Sequence, residues 1–289
     1  NSLIEGVVFS DYINEIPDYA FENCKNLKDI YAAELTSIGN KAFSGCSSLS
    51  ALTIPDDIVS LGSLAFENVE QVKAVASSKA VALSAVDSGA HSVTLNIAEV
   101  ISEMENQEVE VPSSIDTFEI QGKRNNCINL RIKSDANTTC INGIKFVDCQ
   151  RIPIEVSSDS LYLNQVTVQS SQYCMLSKAA NMEVKLFGTV EMSSLNGNTV
   201  LCKNLEIASD SAEIKGSLNV SGNIYICGEL TTGDNTLDIQ NGKIIHISEA
   251  DYEKYVKGTF KITFDANGGT VSEKEHLAYC NTELGTLPE

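Results

Sequence analysis

Tryptophan is absent, arginine occurs only at 124, 131 and 151, histidine only at 91, 246 and 276, and no apolar run approaches the length of a membrane span. Each shortage excludes something. About 20 consecutive apolar residues are needed to cross a bilayer as a helix, so a transmembrane helix is not expected. Nucleic acid and anionic membranes are bound mainly by Lys and Arg that neutralise phosphates, and a net charge of -19 with 20 basic residues argues against both. Without Trp, the aromatic platforms that usually hold sugars are reduced to nine Tyr and nine Phe. No G-x-S-x-G occurs and the three histidines stand apart, so nucleophilic hydrolase chemistry has no signature. The nine cysteines show no C-x-x-C and no His at zinc spacing. An odd number also excludes a fully paired disulfide framework within one chain, and buried thiols are expected instead.

What the 289 residues do contain is a repeat. Ile16-Pro17-Asp18-Tyr19-Ala20-Phe21-Glu22-Asn23-Cys24-Lys25-Asn26-Leu27-Lys28-Asp29-Ile30 recurs from Ile38 to Leu52, and a worn third copy runs from Leu61 to Val75. The phenylalanines at 21, 43 and 66 are 22 and 23 residues apart. A fixed period of this length predicts a solenoid, because a single unit cannot bury its own apolar side while stacked copies bury continuous columns. The expected columns are Ile16/Ile38/Leu61, Phe21/Phe43/Phe66, Leu27/Leu49/Val72 and Ile30/Leu52/Val75, with a short strand at Leu27-Ile30 and its equivalents. Positions that vary between copies are expected at the surface. They include Tyr19/Lys41/Leu64, Asn23/Gly45/Asn68 and the outward strand residues Lys28-Asp29, Ser50-Ala51 and Lys73-Ala74.

The pattern I-P/G-x-x-A-F-x-x-C-x-x-L-x-x-I/L resembles the BspA-type leucine-rich repeat of bacterial surface proteins, whose A-F-x-x-C core stands here as Ala20 to Cys24 and Ala42 to Cys46. Val69 replaces the Cys in the third copy. The resemblance implies a secreted or surface-displayed, non-enzymatic protein that adheres to host or bacterial surface proteins or to glycans, with no cofactor and no catalytic residue. The sequence opens in mid-repeat, Leu3 to Val8 reading as the tail of a preceding unit, and no signal peptide opens it, so a mature fragment with its signal and anchor segments elsewhere is expected.

Residues 77 to 114 loosen into an Ala/Ser-rich stretch and an acidic run, Glu99, Glu103, Glu105, Glu108 and Glu110, read as the solvated face of a strand or short helix because the grammar of a calcium loop is missing. From Ile115 to about residue 250, short segments of β-branched and polar residues follow one another between Gly, Asn, Asp and Ser clusters. Taking Phe146, Val168, Leu186, Ile207, Ile226 and Ile245 as equivalent gives steps of 22, 18, 21, 19 and 19, near one coil of a parallel β-helix, with a secondary set at Ile154, Leu176, Ile214 and Leu230. An antiparallel β-sandwich is the alternative. Residues 258 to 289 carry Phe264-Asp265-Ala266-Asn267-Gly268-Gly269 and resemble the Listeria-Bacteroides repeat, also called the internalin B-repeat. That resemblance implies a small β-grasp-like module, here cut short at Glu289.

The expected organisation is mainly β: leucine-rich repeats over 1-76, a transition over 77-114, a β-solenoid over 115-250 and a truncated β-grasp-like repeat over 258-289. The candidate partner-binding face is Lys28, Asp29, Tyr31, Thr53 and Lys73, which vary beside invariant core positions. A glycan-binding module is the rival binding reading. A polysaccharide-active β-helix enzyme is the rival of another class, with Lys145, Asp148 and Arg151, or Asp210, Glu213 and Lys215, as the carboxylate and base groups it needs. If the register is right, Phe43→Ala costs ~3-5 kcal/mol by opening a core cavity. Lys41→Ala, a surface change, stays within ~0.5 kcal/mol, and urea melts of the two variants compare them.

Overall fold

The computed structural model describes residues 3-10, 12-31, 35-49, 52-54, 57-123, 127-171, 175-177, 181-227, 230-231, 237-239, 243-246, 260-263 and 275-278. Within them the chain is a parallel β-solenoid with one short helix. All strand pairs are parallel except one hairpin, Phe260–Thr263 with Glu275–Ala278, which sets aside the sandwich alternative. Of the stretch expected to be β-grasp-like, only this hairpin is described; Phe264 to Gly269 lie outside the described residues.

In the first copies the coils stack as the repeat predicts. Glu15–Ile16, Ser37–Ile38 and Ser60–Leu61 form a three-stranded sheet that aligns Ile16 with Ile38 and Ile38 with Leu61. Phe21, Phe43 and Phe66 form a stacked column with ring centroids 5.3 and 5.8 Å apart, which Phe9 continues edge-on at 5.8 Å from Phe21. Phe43 and Phe66 are buried, as are Cys24 and Cys46 beside them. Such aromatic pairs contribute about 0.5-1.5 kcal/mol each beyond the area they bury.

The turn around each Ala-Phe is itself a hydrogen-bonding element. The N–H groups of Tyr19, Phe21 and Asn23 donate to the carbonyls of Asn40, Ala42 and Ser44 at 2.9, 2.7 and 2.7 Å, and those of Lys41, Phe43 and Gly45 to Ser63, Ala65 and Glu67 one coil on. This geometry puts two residues per copy in the left-handed region: Tyr19, Lys41 and Leu64 at φ 60, 52 and 53°, and Asn23, Gly45 and Asn68 at φ 60, 74 and 64°. Side chains vary freely there, as the sequence suggests, but the backbone does not. A non-glycine residue in that region is strained by roughly 1-2 kcal/mol, which the three turn hydrogen bonds hold in place.

The strand columns need correcting. Leu52 pairs with Val72 rather than Val75, Thr53 with Lys73 and Ile54 with Ala74. Leu52 lies six positions after Cys46 but Val72 only three after Val69, so the third copy reaches its strand three residues sooner. Consequently Ala74, expected outside, is buried, while Lys73 stays exposed.

Past the third copy, the Ala/Ser-rich stretch forms the helix Lys79–Val86. Alanine favours helix, Ser78 caps it by accepting from the Val81 N–H, and Glu103 accepts from the Lys79 N–H at 3.0 Å. Val81, Ala82, Ala85 and Val86 face the core, and the turn after the helix receives the third copy's donors, Leu64, Phe66 and Asn68 to Asp87, Ser88 and Gly89. The helix thus occupies the next place along the turn ladder. The acidic run therefore divides: Glu103 and Glu105 accept backbone N–H groups, while Glu108 and Glu110 lie in the strand Glu108–Val111.

One ladder passes through everything that follows. Leu52–Ile54, Gln71–Val75, Ser92–Asn96, Thr117–Gln121, Thr138–Asn142 and Ser160–Asn164 pair in order with the first residues of Glu183–Cys202 and Asn204–Val220, then with Ile224–Ile226 and Ile244–His246. A second wall comprises Glu108–Val111, Arg131–Ser134, Ile154–Val156 and Met175–Ser177. A third comprises Cys127–Ile128, Lys145–Val147, Thr167–Ser171 and the middle of Glu183–Cys202. The proposed column from Phe146 to Ile245 therefore mixes two walls. Phe146 and Val168 pair on the third, but Val168 continues to Met192 and Ile214, while Leu186, Ile207 and Ile226 follow Leu163 on the first. Ile245 pairs with the outward Tyr225. The secondary set is mixed in the same way: Ile154 pairs with Met175, and Leu176 with Glu155. Near-equal spacing cannot separate three walls whose strands all recur once per coil.

Close approach between coils explains a glycine. A Cβ on Gly39 would lie 2.4 Å from the Asp18 nitrogen and one on Gly62 2.3 Å from that of Asn40, where the Asn40 N–H donates to Asp18 Oδ1 at 2.7 Å. Gly39→Ala is expected to destabilise by at least the ~1-3 kcal/mol typical of overpacking, because backbone rather than a flexible side chain must move. A shift of the denaturant midpoint with unchanged slope checks it.

Candidate functional site

The residues expected to face a partner lie on the outer side of the first coils. Asp29 and Tyr31 belong to the strand Asp29–Tyr31, paired in register with Gly6 and Val8, and Lys28 forms an exposed ion pair with Glu5 at 3.1 Å. Tyr31 and Val8 sit side by side and are 66% and 78% exposed. Thr53 and Lys73 are paired centres of their strands, and the row continues through Thr94 to Glu119. The parallel ladder brings Thr53 and Lys73 together, and a separate two-stranded sheet brings Asp29 and Tyr31 together with Val8. Burial raises the Glu119 pKa, and the charge of Lys73 opposes that shift.

Farther along the same outward row the surface closes. Cys140, Tyr162, Lys185 and Glu206 continue it, yet Cys140 is 1%, Tyr162 7% and Lys185 3% exposed. Tyr162 stacks with Phe187 at 6.2 Å, Lys185 Nζ lies 5.6 Å above the Tyr162 ring, and Lys185 and Glu206 form an ion pair at 3.1 Å. Burial pushes the Glu206 carboxyl up and Lys185 partly offsets it. The row is therefore closed from Cys140 to Lys185, between a more open part that ends at Glu119 and partly exposed positions from Glu206 to Ile245.

The second wall carries a charge ladder that sequence reasoning missed. Register places Arg131 beside Glu108, and Lys133 between Glu110 and Glu155. Arg131 donates to Glu108 at 2.8 Å and also to Glu155, Lys133 pairs with Glu110 at 2.8 Å, and Arg151 reaches Glu108 at 3.4 Å. The Lys133 hydrogen bond holds the Glu110 carboxyl below the usual range. The turns before three successive strands of this wall enclose a notch of about 260 Å³, lined among others by Asn106, Gln107, Glu108, Arg131, Gln150 and Arg151. The signal was available as Glu108, Arg131 and Glu155 at intervals of 23 and 24 residues, one coil each.

The groups considered for catalysis are not assembled as such. Among the described residues no hydrogen bond or ion pair joins Lys145, Asp148 and Arg151; Arg151 turns to Glu108 and Asp148 occupies a turn at φ 54°. Glu213 and Lys215 pair with each other at 2.8 Å, and the side chain of Asp210 lies outside the described residues. Cys24, Cys46, Cys127 and Cys202 carry free thiols, and burial, with Cys24 adding to it, pushes Cys46 up to about 11. Cys174 and Cys280 lie outside the described residues. No group of three or more metal-ligating side chains converges among the described residues, and no helix there is long and apolar enough to cross a membrane.

Because burial holds the Glu119 proton more tightly in the folded chain than in the unfolded one, this residue's contribution to stability falls as pH rises from its ordinary value of 4.5 through the raised folded pKa. Glu119→Gln removes that loss. The variant is expected to gain on the parent between pH 4 and pH 7, which urea melts at the two pH values measure.

Comparison with known proteins agrees with the amino-terminal architecture. No curated protein and no solved structure matches the chain. The BspA type Leucine rich repeat region model matches residues 1-111 in 6 copies, and the match does not extend to residues 258-289. Residues 1-111, through the helix and the strand Glu108–Val111, are thus similar to the BspA-type leucine-rich repeat region.

Proposed function

We propose that this protein is a non-enzymatic bacterial surface or secreted adhesin that binds a partner protein through the outer face of its first coils. The observation that carries the reading is the exposed, in-register pair Val8 and Tyr31 beside Lys28 and Asp29, together with Thr53 and Lys73 on the neighbouring ladder. A large apolar side chain held outward by a strand loses little entropy on binding, and tyrosine is enriched where interfaces concentrate their energy. The leucine-rich repeat region supports protein-protein interaction as the mode.

The acidic surface bears on the partner. With a net charge of -19, association is steered toward cationic surfaces and weakened by salt. Lys28 and Lys73 are the basic groups within the face and fix register more than affinity.

Immobilised matrix proteins, mucins and polysaccharides, tested with the full chain, separate the readings. Saturable binding to a protein ligand, unaffected by deglycosylation and weakened about tenfold or more by Tyr31→Ala combined with Lys73→Glu, is the expected result. Binding that the double variant leaves unchanged places the interface elsewhere. Release of new reducing or unsaturated ends from a polysaccharide overturns the non-enzymatic reading.

A further inference from the structure

We propose that the notch on the second wall binds the carboxylate of a single acidic sugar unit, with Arg151 as the principal contact. The site is separate from the face assigned to protein binding, and its reading does not depend on that one.

Two of the chain's three arginines meet here, in a protein whose net charge is -19. Arg131 is committed: it is held between Glu108 and Glu155, and its Nε is buried without a hydrogen-bond partner. Buried donors of this kind are rarely left unmatched in proteins. Arg151 is not committed. Its side chain is 75% exposed and its ion pair with Glu108 spans 3.4 Å. A guanidinium presents five donors in a planar fork that matches a carboxylate in two parallel hydrogen bonds, so Arg151 retains the capacity for a bidentate partner. Glu108 uses only its Oε2 on the two guanidiniums, at 2.8 Å to Arg131 and 3.4 Å to Arg151, so it does not fill the Arg151 fork. An incoming carboxylate would take over Arg151 and leave Glu108 on Arg131.

The rest of the lining indicates what carries that carboxylate. Asn106, Gln107 and Gln150 bring amides, each with donors and an acceptor, to the rim. Hydroxyl groups both donate and accept, and such a mixed rim suits a polyol better than an apolar tail. The volume, about 260 Å³, lies below the ~300-1,000 Å³ of sites for drug-sized ligands and suits one sugar unit rather than an oligosaccharide. Recognition here rests on a guanidinium and amides, which removes the need for the tryptophan platform that the chain lacks.

The test uses the full chain and calorimetric or saturation-transfer titration with galacturonate and N-acetylneuraminate, with galactose, acetate and a peptide bearing a free carboxy-terminus as controls. Saturable binding of at least one sugar acid is expected, weakened tenfold or more by Arg151→Ala, partly retained by Arg151→Lys and strengthened several-fold by Glu108→Gln, which removes the carboxylate that competes for Arg151. Tyr31→Ala with Lys73→Glu should leave it unchanged. The proposal is overturned by absence of saturable binding to either sugar acid, by galactose, acetate or the peptide binding as tightly, or by an unchanged affinity in Arg151→Ala with its melting curve intact.

Discussion

Every feature of this molecule depends on backbone hydrogen bonds from one coil to the next. Strand N–H groups and alternate turn N–H groups find their acceptors roughly one period away, as Tyr19 does at Asn40 and Lys41 at Ser63, while the turn residues between them, such as Glu22 and Cys24, bond within their own coil to Tyr19 and Phe21. The requirement fixes the period and stacks equivalent side chains directly above one another. It also makes any insertion or deletion a matter for the neighbour. The three-residue shortening between Val69 and Val72 shows the response: the strand pairs in register with Leu52 all the same, and Ala74 goes inside. Hydrogen-bond satisfaction outranks strict preservation of the repeat.

How much of this could be read from the sequence follows from what each signal encodes. The Ile16 and Phe21 columns were legible because identical residues recur at fixed spacing, and buried identity is what stacking selects. The helix Lys79–Val86 was not, since an eight-residue Ala/Ser stretch looks like slack between strands until its cap and Glu103 are seen together. Wall assignment was illegible for a different reason. Three strands per coil share one period, so Val168 and Leu186 are equally plausible sequels to Phe146, and only pairing separates them. For the sites, outwardness could be predicted for Tyr31, Thr53 and Lys73, but closure of the row at Cys140 and Tyr162 could not, because burial of an outward position depends on what lies over it.

The two walls described for binding differ in their electrostatics. On the first, exposed apolar groups, Val8 and Tyr31, stand beside isolated charges and the single exposed pair Lys28–Glu5. On the second, each coil answers the charge of the one before, Glu108 to Arg131 to Glu155. Lys133–Glu110 and Arg151–Glu108 each have a well-exposed partner and contribute little individually, whereas Arg131 between Glu108 and Glu155 is largely buried; together the network sets register and orients donors. An array that repeats geometry without repeating side chains can thus place different chemistries at the same height on different sides.

The stacking also determines how the chain bears load. Successive coils are joined along one axis by hydrogen bonds that lie roughly parallel to it, so tension between the two ends opens the ladders in sequence rather than shearing them together. Each coil that peels away releases on the order of 70 Å of extended chain, some 20 residues at ~3.3-3.6 Å each. An anchored molecule built this way yields in increments under flow, lengthening a tether while the coils beyond the break keep their shape.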